Sequence, residues 1–196
     1  MPRKGMPILR RQALISATIA EIGEAGTLDV TVSQIARRAG MSSALAHHYF
    51  GSKDQIFLSA MRHVLETFRL AVRARLIVAK TPEARIRAII DASFESSQFE
   101  REIVAAWLAF YVRALQSGET RRLLQVYSRR LHSNLMVNLR QLFDADTAQL
   151  VAQGLASMID GFYIRHALQD AVPDREGSRD MVNDYLQLWL ERKRRS

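Results

Sequence analysis

Apolar residues recur along this chain at the three-to-four-residue spacing of an α-helix, almost from end to end. The spacing predicts a first helix over about 7–25, with Ile8, Ile15, Ile19 and Ile22 as its apolar stripe and Gly26 as its stop. Thr31 followed by Gln34 has the form of a capping box. It opens a second helix that turns Val32, Ile35, Ala36 and Ala39 inward and ends at Gly40. A very short third helix starts at Ser42. A fourth starts at Ser52, with Gln55 again placed for a capping box, and its stripe of Ile56, Ala60, Val64, Phe68 and Ala71 reaches toward Val78. Only "TLDVTV" has strand character, and it is too short and isolated to build a sheet.

The second half continues the pattern. Thr81, Pro82 and Glu83 mark a helix start, followed by Ile86, Ile89, Ile90 and Phe94. The segment 102–115 is apolar nearly all round, as a buried helix would be, and Gly118 is expected to break it. A seventh helix over about 120–143 carries Leu124, Tyr127, Leu131, Leu135 and Leu139. An eighth, over about 147–169, carries Leu150, Gly154, Met158 and Gly161. "DAVPDREG" reads as a loop, and a ninth helix over about 178–192 carries Met181, Val182, Tyr185, Leu188 and Trp189. The expected fold is all-α, about nine helices, divided into a small unit at 1–53 and a larger helical bundle at 54–196.

Charge sharpens this division. The 196 residues carry a formal net charge of +8 and a pI of about 10.4, which favours a polyanionic partner. Residues 1–53 hold seven Lys/Arg against three acids, so the charge density is highest there, beginning with a basic arm at Arg3 and Lys4. There is no cysteine, which removes disulfides, thiolate catalysis and zinc–thiolate sites, and suits a cytoplasmic protein. The longest apolar run, "IVAAWLAFYV", is ten residues, against the roughly 20 needed to span a membrane.

Helices two and three have helix-turn-helix spacing, with Gly40 in "AGMS" permitting the sharp turn. At about 100° per residue from Ser42, Ala46 and Phe50 fall on one side of the third helix, and Ala44, His47 and His48 on the other. The first pair suits a core and the second group a partner. Ala44 allows close approach to DNA and the histidines can donate to phosphates or base edges. Ser42, Ser43, Tyr49 and Lys53 suit phosphates, as do the amides opening helices three and four. The alternative is a merely solvated helix face, against which the basic N-terminal third and the spaced caps weigh. Adjacent positions do not share a helix face, so His47 and His48 are poorly placed to bind one metal, and no cofactor is expected. No glycine-rich phosphate loop, nucleophile elbow or HExxH is present, so no catalytic site is expected.

The stretch "TVSQIARRAGMSSALAHHYFGSKDQI" resembles the DNA-binding segment of TetR-type transcriptional repressors. It agrees with the family pattern at Thr31, Ile35, Ala36, Ala39, Gly40, Ser42, Tyr49, Phe50 and Lys53. It departs from it at Ala44 for Gly, Leu45 for Thr, Ala46 for Leu and His47 for Tyr. The resemblance implies that Thr31, Ser42, Ser43, Ala44, Leu45, His47, His48, Tyr49 and Lys53 face a double-stranded, near-palindromic operator, bound by a homodimer. "AWLAF", "QVYSRRLHSNL" and "IDGFYIRHAL" are similar to stretches of the choline-responsive members of that family. Those members imply repression of genes for choline uptake and conversion to glycine betaine, relieved by choline.

A quaternary ammonium is held by aromatic faces and a nearby carboxylate. Trp107, Phe110, Tyr111, Tyr127 and Tyr163 supply the rings and Asp160 the charge, although aromatics at helical spacing are more often core, and Asp160 could pair with Arg165 or Arg130 instead. The last two helices are expected to form the dimer seam. Gly154 and Gly161 would permit close approach there, and Leu188 and Trp189 would bury apolar area. Two other readings stay open. One is a regulator of this type answering a lipophilic cation or acyl compound. The other is a helical small-molecule-binding or interaction protein with no role on DNA.

Overall fold

A computed structural model describes residues 6–169, 172 and 174–195. Among them are nine α-helices and no strand: α1 (Met6–Ala25), α2 (Val32–Arg38), α3 (Ser43–Phe50), α4 (Lys53–Val78), α5 (Pro82–Ser93), α6 (Arg101–Gln116), α7 (Gly118–Leu139), α8 (Ala145–Ala167) and α9 (Arg175–Arg195). A 3-10 turn at Ser96–Gln98 leads into α6. Arg3 and Lys4 of the expected basic arm lie outside the described residues, as do three positions of the expected loop before α9.

Side-chain caps decide where most helices begin. At Thr31 both halves of the capping box form: Gln34 N–H donates to the hydroxyl, and the Gln34 carboxamide oxygen accepts from Thr31 N–H. Ser52 caps α4 by accepting from Gln55 N–H, and Thr81 caps α5 by accepting from Ala84 N–H, with Pro82 in the first turn. Gly118 does not break α6 but opens α7. The break is the extended backbone of Ser117, whose hydroxyl accepts from Thr120 N–H. Asp174 accepts from Gly177 N–H at the start of α9, which therefore begins before the expected Ser178. "TLDVT" is irregular, the last Val of the expected strand opens α2 instead, and the buried Val30 plugs into the core between α1 and α2.

One continuous cluster of buried side chains runs from α1 to α9. The stripes of α4, α5 and α7 enter it as expected, with Ile56, Val64, Phe68, Ile86, Ile89, Leu131 and Leu135 all buried. Ile8 does not enter it: at 63% exposure it sits on an N-terminal turn of α1 that overhangs the bundle, and Leu14 takes the inward position instead. Helix α1 packs most extensively on α6, and the approach is tight enough that a Cβ on Gly23 would collide with Glu102. The 26-residue α4, about 39 Å long, joins the helix-turn-helix to the bundle and packs on α1, α5 and, more lightly, α7.

Gly154 departs from the expectation placed on it. Its missing side chain makes room for the Tyr185 hydroxyl of α9 in the same chain, so the close approach is between α8 and α9 rather than between two copies. Gly161 by contrast faces open space, and Leu188 is 66% exposed. Trp189 is half-buried, with Tyr185 edge-on at 6.4 Å and the Arg192 guanidinium 5.4 Å above its ring.

Candidate DNA-reading surface and aromatic ligand site

The helix-turn-helix is held by a few polar ties and a small apolar core. Gly40 has φ +67°, a left-handed conformation that turns the chain between α2 and α3 at little steric cost. Ser43 Oγ donates to Ser33 Oγ (3.0 Å), tying α3 to α2. Arg38 bridges to both Glu21 and Glu24, tying α2 to α1 and satisfying two of the unit's three acids. Ala46 and Phe50 are buried, and the Arg11 guanidinium stacks 4.5 Å from the Phe50 ring centre while donating to the Tyr49 carbonyl.

This leaves Ala44, His47 and His48 exposed on one side of α3, as the wheel predicts, with Leu45 half-buried beside them. His47 Nδ1 lies 3.3 Å from the Gly51 carbonyl. With Nδ1–H donating there, Nε2 of the exposed ring is left as an acceptor. His48 packs edge-on against Tyr49, whose ring leans on the core. Ser42 caps α3 by accepting from Leu45 N–H, and the Lys53 ammonium lies 5.3 Å from the Phe57 ring centre. Thr31 differs from the rest. Its hydroxyl accepts from Gln34 N–H and donates to the Gln34 carboxamide, so its polar atoms work inside the capping box. Among the described residues no group of three or more His, Asp or Glu could hold a metal.

In the bundle, α6, α7 and α8 bring four of the five expected aromatics around Asp160. The Tyr111 hydroxyl donates to Asp160 Oδ1 at 3.0 Å. Trp107 stacks on Tyr111 at 5.9 Å, tilts against Tyr127 at 4.9 Å and meets Tyr163 edge-on at 6.1 Å. Tyr163 donates to the Ser93 carbonyl, anchoring α8 to the end of α5. Asp160 makes no ion pair with Arg165 or Arg130. Burial raises its pKa, and the Tyr111 hydrogen bond offsets part of that rise. Burial, and after it the Asp160 charge, raises the pKa of Tyr111, Tyr127 and Tyr163, so all three stay neutral hydroxyls. Trp107 Nε1 is buried with no hydrogen-bond partner, an orphan donor inside the cluster.

Phe110 is set apart from this cluster. It sits 100° round α6 from Tyr111 and lines a separate small cavity with Leu28, Phe57 and Met61, toward the DNA-binding end. One residue that the sequence marks only as core borders the site. Phe68 of α4 meets Tyr127 edge-on at 5.6 Å, which ties the cluster to the long helix. A cleft of about 870 Å³ lies apart from Asp160, between α4 and α7, with Tyr127 in its wall.

The chain is similar to known proteins over nearly its whole length. Residues 14–60 match the model of bacterial regulatory proteins of the tetR family, and residues 82–191 match that of the BetI-type transcriptional repressor C-terminal region. The HTH-type transcriptional regulator BetI of Brucella anthropi is 51% identical over 190 residues, covering 97% of this chain and 98% of its own. That of Agrobacterium fabrum is 51% identical over 191 residues, covering 97% and 93%. A transcriptional regulator of Saccharomonospora viridis, solved in complex with choline, shares the fold with a TM-score of 0.80 at 21% identity, over 90% of this chain and 95% of its own. A TetR regulator of Haloarcula marismortui aligns with a TM-score of 0.80 at 22% identity, over 91% and 97%. The chain is thus a helix-turn-helix transcriptional regulator that belongs to the TetR family, in its BetI-type branch.

Proposed function

We propose that this protein is a dimeric repressor of choline-to-glycine-betaine genes, and that choline releases it from its operator by entering the aromatic cluster at Asp160. The observation that carries the reading is the convergence of Trp107, Tyr111, Tyr127 and Tyr163 on one partly buried carboxylate. A trimethylammonium group accepts and donates no ordinary hydrogen bond through nitrogen. It is stabilised by ring faces and by a nearby negative charge, and this cluster offers both. The orphan Trp107 N–H is suited to the choline hydroxyl oxygen. The name of the choline-bound Saccharomonospora viridis regulator is in keeping with that ligand.

The rings touch one another, with centroids 4.9 to 6.1 Å apart. These are direct ring contacts. A cation sandwiched between two faces needs them farther apart, so choline must part α6 from α7. Tyr127 bears on Phe68, and α6 is locked to α1 at Gly23, so that displacement reaches both helices that carry the reading head. Choline shifts the equilibrium only by binding the parted state more tightly than the closed one.

Residues 1–53 serve as the DNA-binding unit and 54–196 as the ligand-binding and dimerisation unit. Ala44, Leu45, His47 and His48 present the base-reading face. Ser42, Ser43, Tyr49 and Lys53 take phosphates, and Thr31 supports them from its cap. Two-fold pairing through α8 and α9 at Gly161 and Leu188 matches a near-palindromic operator. The protein acts in the cytoplasm by binding alone and carries out no catalytic step. Among the described residues no helix is long and apolar enough to cross a membrane. Operator footprinting with and without choline tests the reading: protection of two half-sites, lost as choline saturates, is expected. Protection unchanged at saturating choline would overturn the inducer assignment.

A further inference from the structure

The α4–α7 cleft does not suit choline. It is lined by Arg62, Arg69, Arg73, Arg85 and Arg130, with Glu66 as the single acid. Glu66 pairs with Arg69, and Glu119 pairs with Arg62. Arg85 donates only to neutral acceptors, the Asn138 side chain and the Leu76 carbonyl. Among the described residues Arg73 and Arg130 donate no hydrogen bond and both are exposed, although the Arg130 charge is near enough to Glu66 to help lower its pKa. The cleft is therefore strongly positive and disfavours a small cation.

Between the arginines the cleft is apolar. Leu65, Phe68, Val72 and Leu76 follow one another along α4, and Leu123 and Val126 face them from α7. The volume, about 870 Å³, suits a molecule much larger than choline. Arg62 and Arg73 stand eleven residues apart on α4, so the apolar floor is about 16 Å long, which suits a single acyl chain of about a dozen carbons. A cationic rim over an elongated apolar floor is complementary to a molecule with an anionic head and one hydrocarbon tail. Arginine also binds carboxylate and phosphate oxygens in a fork.

We propose that the α4–α7 cleft is a second ligand site, separate from the aromatic cluster, that takes a single-chain amphipathic anion with a carboxylate or phosphate head. The head lies against Arg73 and Arg130 and the tail along Phe68, Val72 and Leu123. Tyr127 forms a wall of both sites, so both ligands bear on α7.

Titration calorimetry below micelle-forming concentrations tests this, using the full chain with laurate, dodecyl phosphate, dodecanol and dodecyltrimethylammonium. Laurate or dodecyl phosphate is expected to saturate one site per chain, and the tighter of the two identifies the head. Dodecanol and dodecyltrimethylammonium should bind more weakly by about tenfold or more. The double variant Arg73→Gln/Arg130→Gln should lose about tenfold or more for the anions and keep its choline affinity. Both arginines are exposed, so the variant is not expected to lose its fold, and an unchanged melting curve checks this. Equal binding of the trimethylammonium chain, or laurate binding unchanged in the double variant, would overturn the proposal. Neither result bears on choline at Asp160, because choline is titrated separately.

Discussion

Asp160 keeps one oxygen on the Tyr111 hydroxyl, while burial raises its pKa above its ordinary value. An acid with a raised native pKa holds its proton in the native state at pH values where the unfolded chain has released it. Stability therefore falls as pH rises through the interval between the ordinary and the raised value. At neutral pH the ionised, half-buried Asp160 is a cost in the ligand-free protein. Asp160→Asn should raise the melting temperature by about 2–4 °C and weaken choline binding by about tenfold or more. A choline cation favours the ionised form, so choline affinity should fall as pH drops into the raised window. Calorimetry at several pH values should find that dependence in the parent chain and not in the Asn variant. Trp107 offers a second test. Trp107→Phe keeps an aromatic face and removes the orphan donor, so preference for choline over tetramethylammonium should shrink by about fivefold, as expected for one hydrogen bond.

Helix α6 carries Trp107 and Tyr111 and also packs against α1 of the DNA-binding unit. At Gly23 the two backbones approach so closely that Gly23→Ala places a methyl against Glu102 Cα and Cβ. The neighbour is backbone, which cannot simply rotate away. The variant should lose about 1–3 kcal/mol of stability in chemical denaturation. Gel-shift titrations should also find it less responsive to choline, because the contact that transmits α6 motion has been displaced. Much at this scale was legible beforehand. The caps at Thr31, Ser42, Ser52 and Thr81 depend on residues three apart, and the stripes of α4, α5 and α7 on helical period. Ile8 and Phe110 were not legible, because periodicity gives the inward face of a helix but not where along it a neighbour ends, or which neighbour it meets.

For the whole molecule, Leu150, Ile164, Met181 and Leu188 are exposed apolar positions on α8 and α9, the two helices expected to pair between copies. A second copy is the expected cover. Leu188→Asp should move sedimentation toward the monomer and weaken operator binding, since one reading head contacts only one half-site. Operator affinity should fall steeply with salt, and Lys53→Ala should flatten the log–log slope by about 1 if Lys53 holds a phosphate.

By itself, the sequence determined the all-α class, the helix-turn-helix at 31–50, the outward set Ala44, His47 and His48, and the four rings that gather at Asp160. These follow from local physics: caps act over three residues, a turn needs its glycine, and helical period separates inside from outside. Only the tertiary structure decided that Gly154 serves Tyr185 of its own chain, that Tyr127 reaches Phe68, and that arginines from α4, α5 and α7 rim one apolar cleft. Each of these is a meeting of residues far apart in the chain. Such contacts are set by how whole helices cross, which no local pattern encodes.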